Sequence, residues 1–115
     1  MAGLLGTLDI GDLHLRNRIV MPPMASGRAA PDGRPTAANC ETHRIRAAAG
    51  CGLVIVEHAF VSPEGRFSAG QVGVADDHGI DALADLAAAI KEGGAIACLQ
   101  LSHAGSLAGG LGPEC

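Results

Sequence analysis

Three short apolar runs alternate along this chain with two segments of helical spacing, and that order permits few folds. The middle run, "CGLVIVEHAFV", is the strongest. Leu53 to Val56 is continuous, apolar and largely β-branched, as expected of a strand buried on both faces. An earlier run, "RIVMPPM", is stopped by Pro22 and Pro23, which cannot continue a central strand. A later run, "AIACLQL", covers residues 95–101.

Between the first two runs, Thr36 can cap a helix through "AANCETHRIRAAAG". Glu41 lies in its first half and Arg44 and Arg46 near its end, the order that suits the helix dipole. Gly50 and Gly52 stop it. Asp76 or Asp77 caps a second helix over 78–92, where Ile80, Leu83, Ala84, Ala87 and Ile90 make one apolar stripe, and Gly93-Gly94 ends it. Ahead of all this, "LLGTLDIGDLHLRNR" reads as a hairpin over about residues 4–16, turning at Gly11-Asp12. Residues 25–36 form a loop turning at Pro31-Asp32-Gly33, "SPEGRFSAGQVGV" a loop with a small hairpin of its own, and 102–115 a Gly-rich tail.

The predicted order is hairpin, β, α, β, α, β. Helical connections imply parallel strands near 18–22, 52–57 and 95–101, joined by right-handed crossovers. The class is α/β, either an open doubly wound sheet or part of a (β/α)8 barrel. In both, ligands meet the carboxyl ends of the strands. Those ends read Pro22-Pro23-Met24-Ala25, Glu57-His58-Ala59 and Gln100-Leu101-Ser102-His103. Gln100 is the odd member, an amide in an apolar run, and burying it without a partner costs about 1–3 kcal/mol. It is expected to meet a ligand.

Composition narrows the function. A net charge of -4 and eight scattered Lys and Arg exclude a surface that tracks phosphates, so no nucleic-acid partner is expected. The N-terminus lacks the basic and apolar regions of a signal peptide, and no apolar run is long enough for a membrane span. The four cysteines show no CxxC spacing and read as reduced thiols of a cytoplasmic protein.

Taken together, "LHLRNRIVMPPM", "GLVIVEHAFVSPEGR" and "QLSHAG", in this order with a helix between each pair, resemble the N-terminal part of the old yellow enzyme family. These are FMN-dependent NADH:flavin oxidoreductases and ene-reductases. The resemblance runs from about Leu4 to Gly105. It implies a TIM (β/α)8 barrel closed at the bottom by the hairpin, with FMN across the top and NAD(P)H as reductant. It implies cofactor contacts at Pro23, Met24 and Ala25, where the backbone runs beside the flavin ring. His58 stands where the family usually has a small residue touching FMN. Gln100 matches the glutamine whose amide pairs with the flavin's pyrimidine edge, which needs both a donor and an acceptor.

The sequence departs from the family pattern in several places. Ala25 stands for a common Thr or Cys, Gly27 for a substrate-side Tyr of some members, Ser106 for the Arg of "HAGR", and His43 for a common Tyr. A whole barrel needs about 250 residues, and this sequence has 115. The resemblance therefore implies an amino-terminal piece, inactive alone. The substrate-anchoring pair, proton-donor Tyr and phosphate loops lie beyond it, and no catalytic residue is assigned. The remaining barrel portion is the expected partner. Two alternatives stay open: a non-catalytic fragment or interaction module, and part of another flavin-binding barrel of the dihydroorotate dehydrogenase or dihydrouridine synthase type.

Other candidates read more plainly. His43 and Cys40 lie on a helix, and two ligands do not make a zinc site, so His43 is placed on a solvated face. Glu57 is expected to pair with an Arg or a backbone amide, and Cys98 to be a small core residue. His103 is balanced between lining a pocket and bonding loop carbonyls.

Overall fold

The computed structural model describes residues 3–109; residues 110–115 of the predicted tail lie outside the described residues. A two-stranded antiparallel hairpin, β1 (Leu8–Ile10) and β2 (Leu13–Leu15), comes first. Gly11 makes its turn at φ +56°, a conformation that favours glycine. Then follow β3 (Val20–Met21), α1 (Ala37–Ala48), β4 (Leu53–Phe60), α2 (Ile80–Glu92) and β5 (Ile96–Ser102). The second sheet has the order β3-β4-β5 and both pairings are parallel, as the alternation of runs requires.

Helix α1 starts where the sequence places it. The Thr36 hydroxyl accepts from the Asn39 amide nitrogen, and the Asn39 side chain accepts from the Thr36 backbone, a reciprocal cap. Asp76 caps a short 3-10 turn, Asp77–Gly79, that feeds α2. The apolar face of α2 is rotated from the predicted stripe. Leu86 and Ile90 are buried, with Leu83 and Ala87 half-buried beside them, whereas Ile80 and Ala84 are exposed.

Both helices cover one face of the sheet. Ala47 of α1, Leu86 and Ile90 of α2, Val54 and Val56 of β4 and Ala95 form a single buried cluster, against which Met21, Ala97 and Leu99 pack. Side chains alternate along a strand. Val20, Leu53, Ile55, Ile96, Cys98 and Gln100 therefore belong to the other face. Within the described residues that face is bare: each of the six is half-buried or exposed. The expectation that Leu53–Val56 is buried on both faces is thus corrected, because Val54 and Val56 are buried while Leu53 and Ile55 are only half-buried.

Cys98 is corrected for the same reason, since it is exposed on the bare face. Cys40 is half-buried, and burial pushes its thiol pKa up, with the nearby Asp85 carboxylate adding to the effect. Thiolate is the reacting form. Limiting iodoacetamide is accordingly expected to label Cys98 well before Cys40, scored by peptide mass mapping. Preferential labelling of Cys40 would contradict the orientation of β5.

The hairpin sits at the amino end of the sheet. Arg16 of the segment after β2 donates from Nε to the carbonyl of Cys51, 3.1 Å away, and from Nη2 to the last turn of α1 at Ala47. Asn17 is buried and bridges two backbones, donating from Nδ2 to Gly50 O at 2.6 Å and accepting from Ile19 N at 3.0 Å. These bonds tie the hairpin to the end opposite the strand tips. The loop after β4 contains a 3-10 turn, Pro63–Gly65, and a parallel bridge from Phe60 to Gly73 in place of the expected small hairpin.

Candidate functional site

The carboxyl end of the sheet is built from three strand ends and their loops. In the ladder, Met21 is level with Val54, and Val56 with Leu99. Pro23, His58 and Gln100, each one or two residues further on, therefore lie at the same edge. An irregularity between Val56 and Ala59 displaces the register there.

Gln100 is exposed, on a strand whose outer edge is unpaired in the described sheet. The expectation that it is an amide buried in the apolar run is thus corrected. Alternation turns it to the bare face, beside Cys98, and among the described residues its side chain makes no hydrogen bond. Met24 is 60% exposed and Ala25 exposed, while Pro23 is half-buried. Met24, Ala25 and Ser26 border an open hollow of about 430 Å³ together with Met21, Arg28, Thr42 and Arg46.

His58 is half-buried, its ring 6.0 Å from that of Phe67. It shares a second hollow, about 270 Å³, with Phe67, Ser102 and His103. His103 lines that hollow, and its Nδ1 also accepts from the backbone of Gly105 at 3.0 Å. The lining reading fits, whereas its loop partner is a backbone N–H in place of the expected carbonyl.

Of three polar residues at this edge, Gln71 is overlooked in the sequence reading, His43 is placed elsewhere and Glu57 is given other partners. Gln71 is 2% exposed. Its oxygen accepts from Phe67 N at 2.6 Å, and its nitrogen donates to His58 O at 3.3 Å and to the Ser102 hydroxyl at 3.2 Å. One buried amide thus joins the ends of β4 and β5 to the long loop. Its neighbours in sequence, Gly70 and Val72, carry no signal of that role. His43, expected on a solvated face, is 1% exposed. It points inward, with Nδ1 2.8 Å from Asn39 O and Nε2 4.0 Å from Glu57. Glu57 is also 1% exposed. It bonds no Arg among the described residues; its Oε1 accepts from the Ser26 hydroxyl at 3.0 Å. A carboxylate inside an apolar strand was the signal that could have located this cluster.

Arg66 braces the outer side. Its guanidinium lies 4.9 Å above the Phe60 ring and donates to Pro31 O at 2.7 Å and Ser68 O at 2.9 Å. Among the described residues no group of three or more His, Cys, Asp and Glu is gathered to hold a metal ion. No helix there is long and apolar enough to cross a membrane.

Fold and edge together narrow the class to a parallel α/β wall with helices on one face, as a (β/α)8 barrel has, its strand tips gathered at one end. A β3-β4-β5 order with helices on one face also begins half of a doubly wound sheet, and the solved structures decide between them. Morphinone reductase superposes with a TM-score of 0.84 at 30% identity, over 93% of this chain and 28% of that one. The old yellow enzyme homologue from Zymomonas mobilis gives 0.79 at 30% identity, over 87% and 28%. The NADH oxidase of Thermoanaerobacter brockii is 40% identical over 97 residues, 84% of this chain and 15% of that protein.

The NADH:flavin oxidoreductase / NADH oxidase family matches residues 4–109, and the chain belongs to that family. It spans less than a third of the length of each of these three relatives.

Proposed function

We propose that this chain supplies one wall of an FMN-binding oxidoreductase of the old yellow enzyme type. The observation that supports this most is the free amide of Gln100 on the bare face, at the same edge as Pro23, Met24, Ala25 and His58. The fit is chemical: a primary amide offers the donor and acceptor that a pyrimidine edge requires. Gln100 would hold that edge, the backbone at Pro23, Met24 and Ala25 would run beside the ring, and His58 would close the side towards Phe67.

When bound, FMN supplies hydride transfer from NAD(P)H to an activated alkene or related acceptor. The chain's own residues orient and shield; none is assigned as acid, base or nucleophile. Residues 1–115 form a partial domain in this reading: a hairpin, the first three barrel strands and a Gly-rich tail. Its partner is a polypeptide carrying the remaining strands of the barrel, which would cover Val20, Leu53, Ile55, Ile96 and Cys98 and pair the outer edge of β5. A cytoplasmic setting accords with the free Cys40, Cys51 and Cys98.

The test is co-production with a polypeptide carrying the remaining strands of a family barrel. The assembly is expected to be yellow and to shield Cys98 from iodoacetamide. Gln100→Leu in that assembly is expected to weaken FMN binding about tenfold or more, the worth of roughly 1–3 kcal/mol of hydrogen bonding. An assembly that forms, buries Cys98 and takes up no flavin would refute the reading.

A further inference from the structure

Among the described residues, two buried polar atoms at the strand edge lack partners: Nε2 of His43 and Oε2 of Glu57. They face each other across 4.0 Å, between residues each 1% exposed. The neighbouring bonds fix where the protons are. Nδ1 of His43 lies 2.8 Å from the carbonyl of Asn39, which can only accept, so Nδ1 carries a proton. The Ser26 hydroxyl accepts from Asn39 Nδ2 at 3.1 Å, so its own proton goes to Glu57 Oε1 at 3.0 Å. Without a further proton, Nε2 and Oε2 would both be acceptors, confronting one another in a dry interior. Buried polar groups are rarely left in that state. No Lys or Arg among the described residues bonds Glu57 to relieve it.

We propose that His43 and Glu57 hold one proton between Nε2 and Oε2, and that the pair so closed is a positioning element for the Met24–Ser26 loop. The count is the same whether the proton is assigned to the imidazole or to the carboxyl group. Glu57 immediately precedes His58 on β4, and Ser26 immediately follows Ala25. The closed His43–Glu57 pair and the Ser26–Glu57 hydrogen bond therefore set the first strand end against the second. This role rests on the reading of that edge as a flavin wall, but its test involves no flavin, so the two can fail separately.

The experiment is NMR on the 115-residue chain, with the imidazole nitrogens followed by long-range proton–nitrogen correlation. The wild-type His43 ring is expected to show Nδ1 protonated and Nε2 either protonated or hydrogen-bonded. In Glu57→Gln the side-chain amide N–H donates a hydrogen bond to Nε2 while its oxygen still accepts from Ser26. The ring is then expected to be the neutral Nδ1–H form, with the backbone resonances of Met24, Ala25 and Ser26 in place. Ser26→Ala cuts both hydroxyl bonds that hold the loop, to Glu57 and from Asn39, and leaves His43 facing Glu57. Those three resonances are expected to shift and lose order while the His43 signals stay. Glu57→Ala is expected to lose both; should it fail to fold, the other two variants still decide. A wild-type ring with an unprotonated Nε2 free of any hydrogen bond would overturn the shared proton. An undisturbed loop in Ser26→Ala, or a detached loop in Glu57→Gln, would overturn the positioning role.

Discussion

Titrated with FMN, the 115-residue chain alone is expected to bind weakly or not at all and to leave NADH unconsumed. A flavin-sized ligand needs about 70–90% of its surface buried, and here Met24 is 60% exposed, with Ala25 and Gln100 also exposed. The hollow beside Met24 is open to solvent and lacks an assigned phosphate anchor. A single amide and one run of backbone would have to offset the entropy of holding the ligand, which they are too few to do. The bare apolar face and the unpaired edge of β5 also favour self-association over ligand binding. Flavin fluorescence and NADH absorbance measure both outcomes directly. Tight stoichiometric binding with turnover by the monomeric chain would show that the wall needs no further strands. Recovery of both properties on adding the remaining strands would place the deficit in what this chain does not contain.

The strands and helices were legible because each is written in local chemistry. Thr36 caps α1 as its hydroxyl dictates, Gly11 turns the hairpin, and Pro22-Pro23 ends β3. What a sequence of this kind does not state is which face of a strand another element will cover. Leu53 and Ile55 look as buried as Val54 and Val56, yet both helices lie on one side, and no described element covers the second face. Cys98 and Gln100 are exposed for that same reason. The polar cluster was illegible for a different one. His43, Asn39, Ser26 and Glu57 are up to 31 residues apart and meet only once β4 packs beside α1. His43 follows Thr42 and precedes Arg44 in a run of polar residues, which reads as a solvated face until the helix is rotated into place.

Replacing Ile90 by Ala is expected to cost about 2–5 kcal/mol, much of the stability a small domain has. Ile90 is fully buried in a cluster of six residues, of which two, Ala47 and Ala95, are alanines. With only Leu86, Val54 and Val56 as other large members, little can move in to fill the space, so the cavity term adds to the lost transfer energy. Ile80 provides the internal control. It has the same side chain on the same helix and lies on the same predicted stripe, but it is 56% exposed. Ile80→Ala is expected to change stability by less than about 0.5 kcal/mol. Urea unfolding followed by circular dichroism distinguishes them: the midpoint of Ile90→Ala should fall steeply, or the variant should be unfolded without urea, while Ile80→Ala should track the parent. Equal losses at the two positions would mean that α2 is rotated on the sheet towards the stripe that periodicity alone suggests, and that the helix-covered face is packed differently from the arrangement described above.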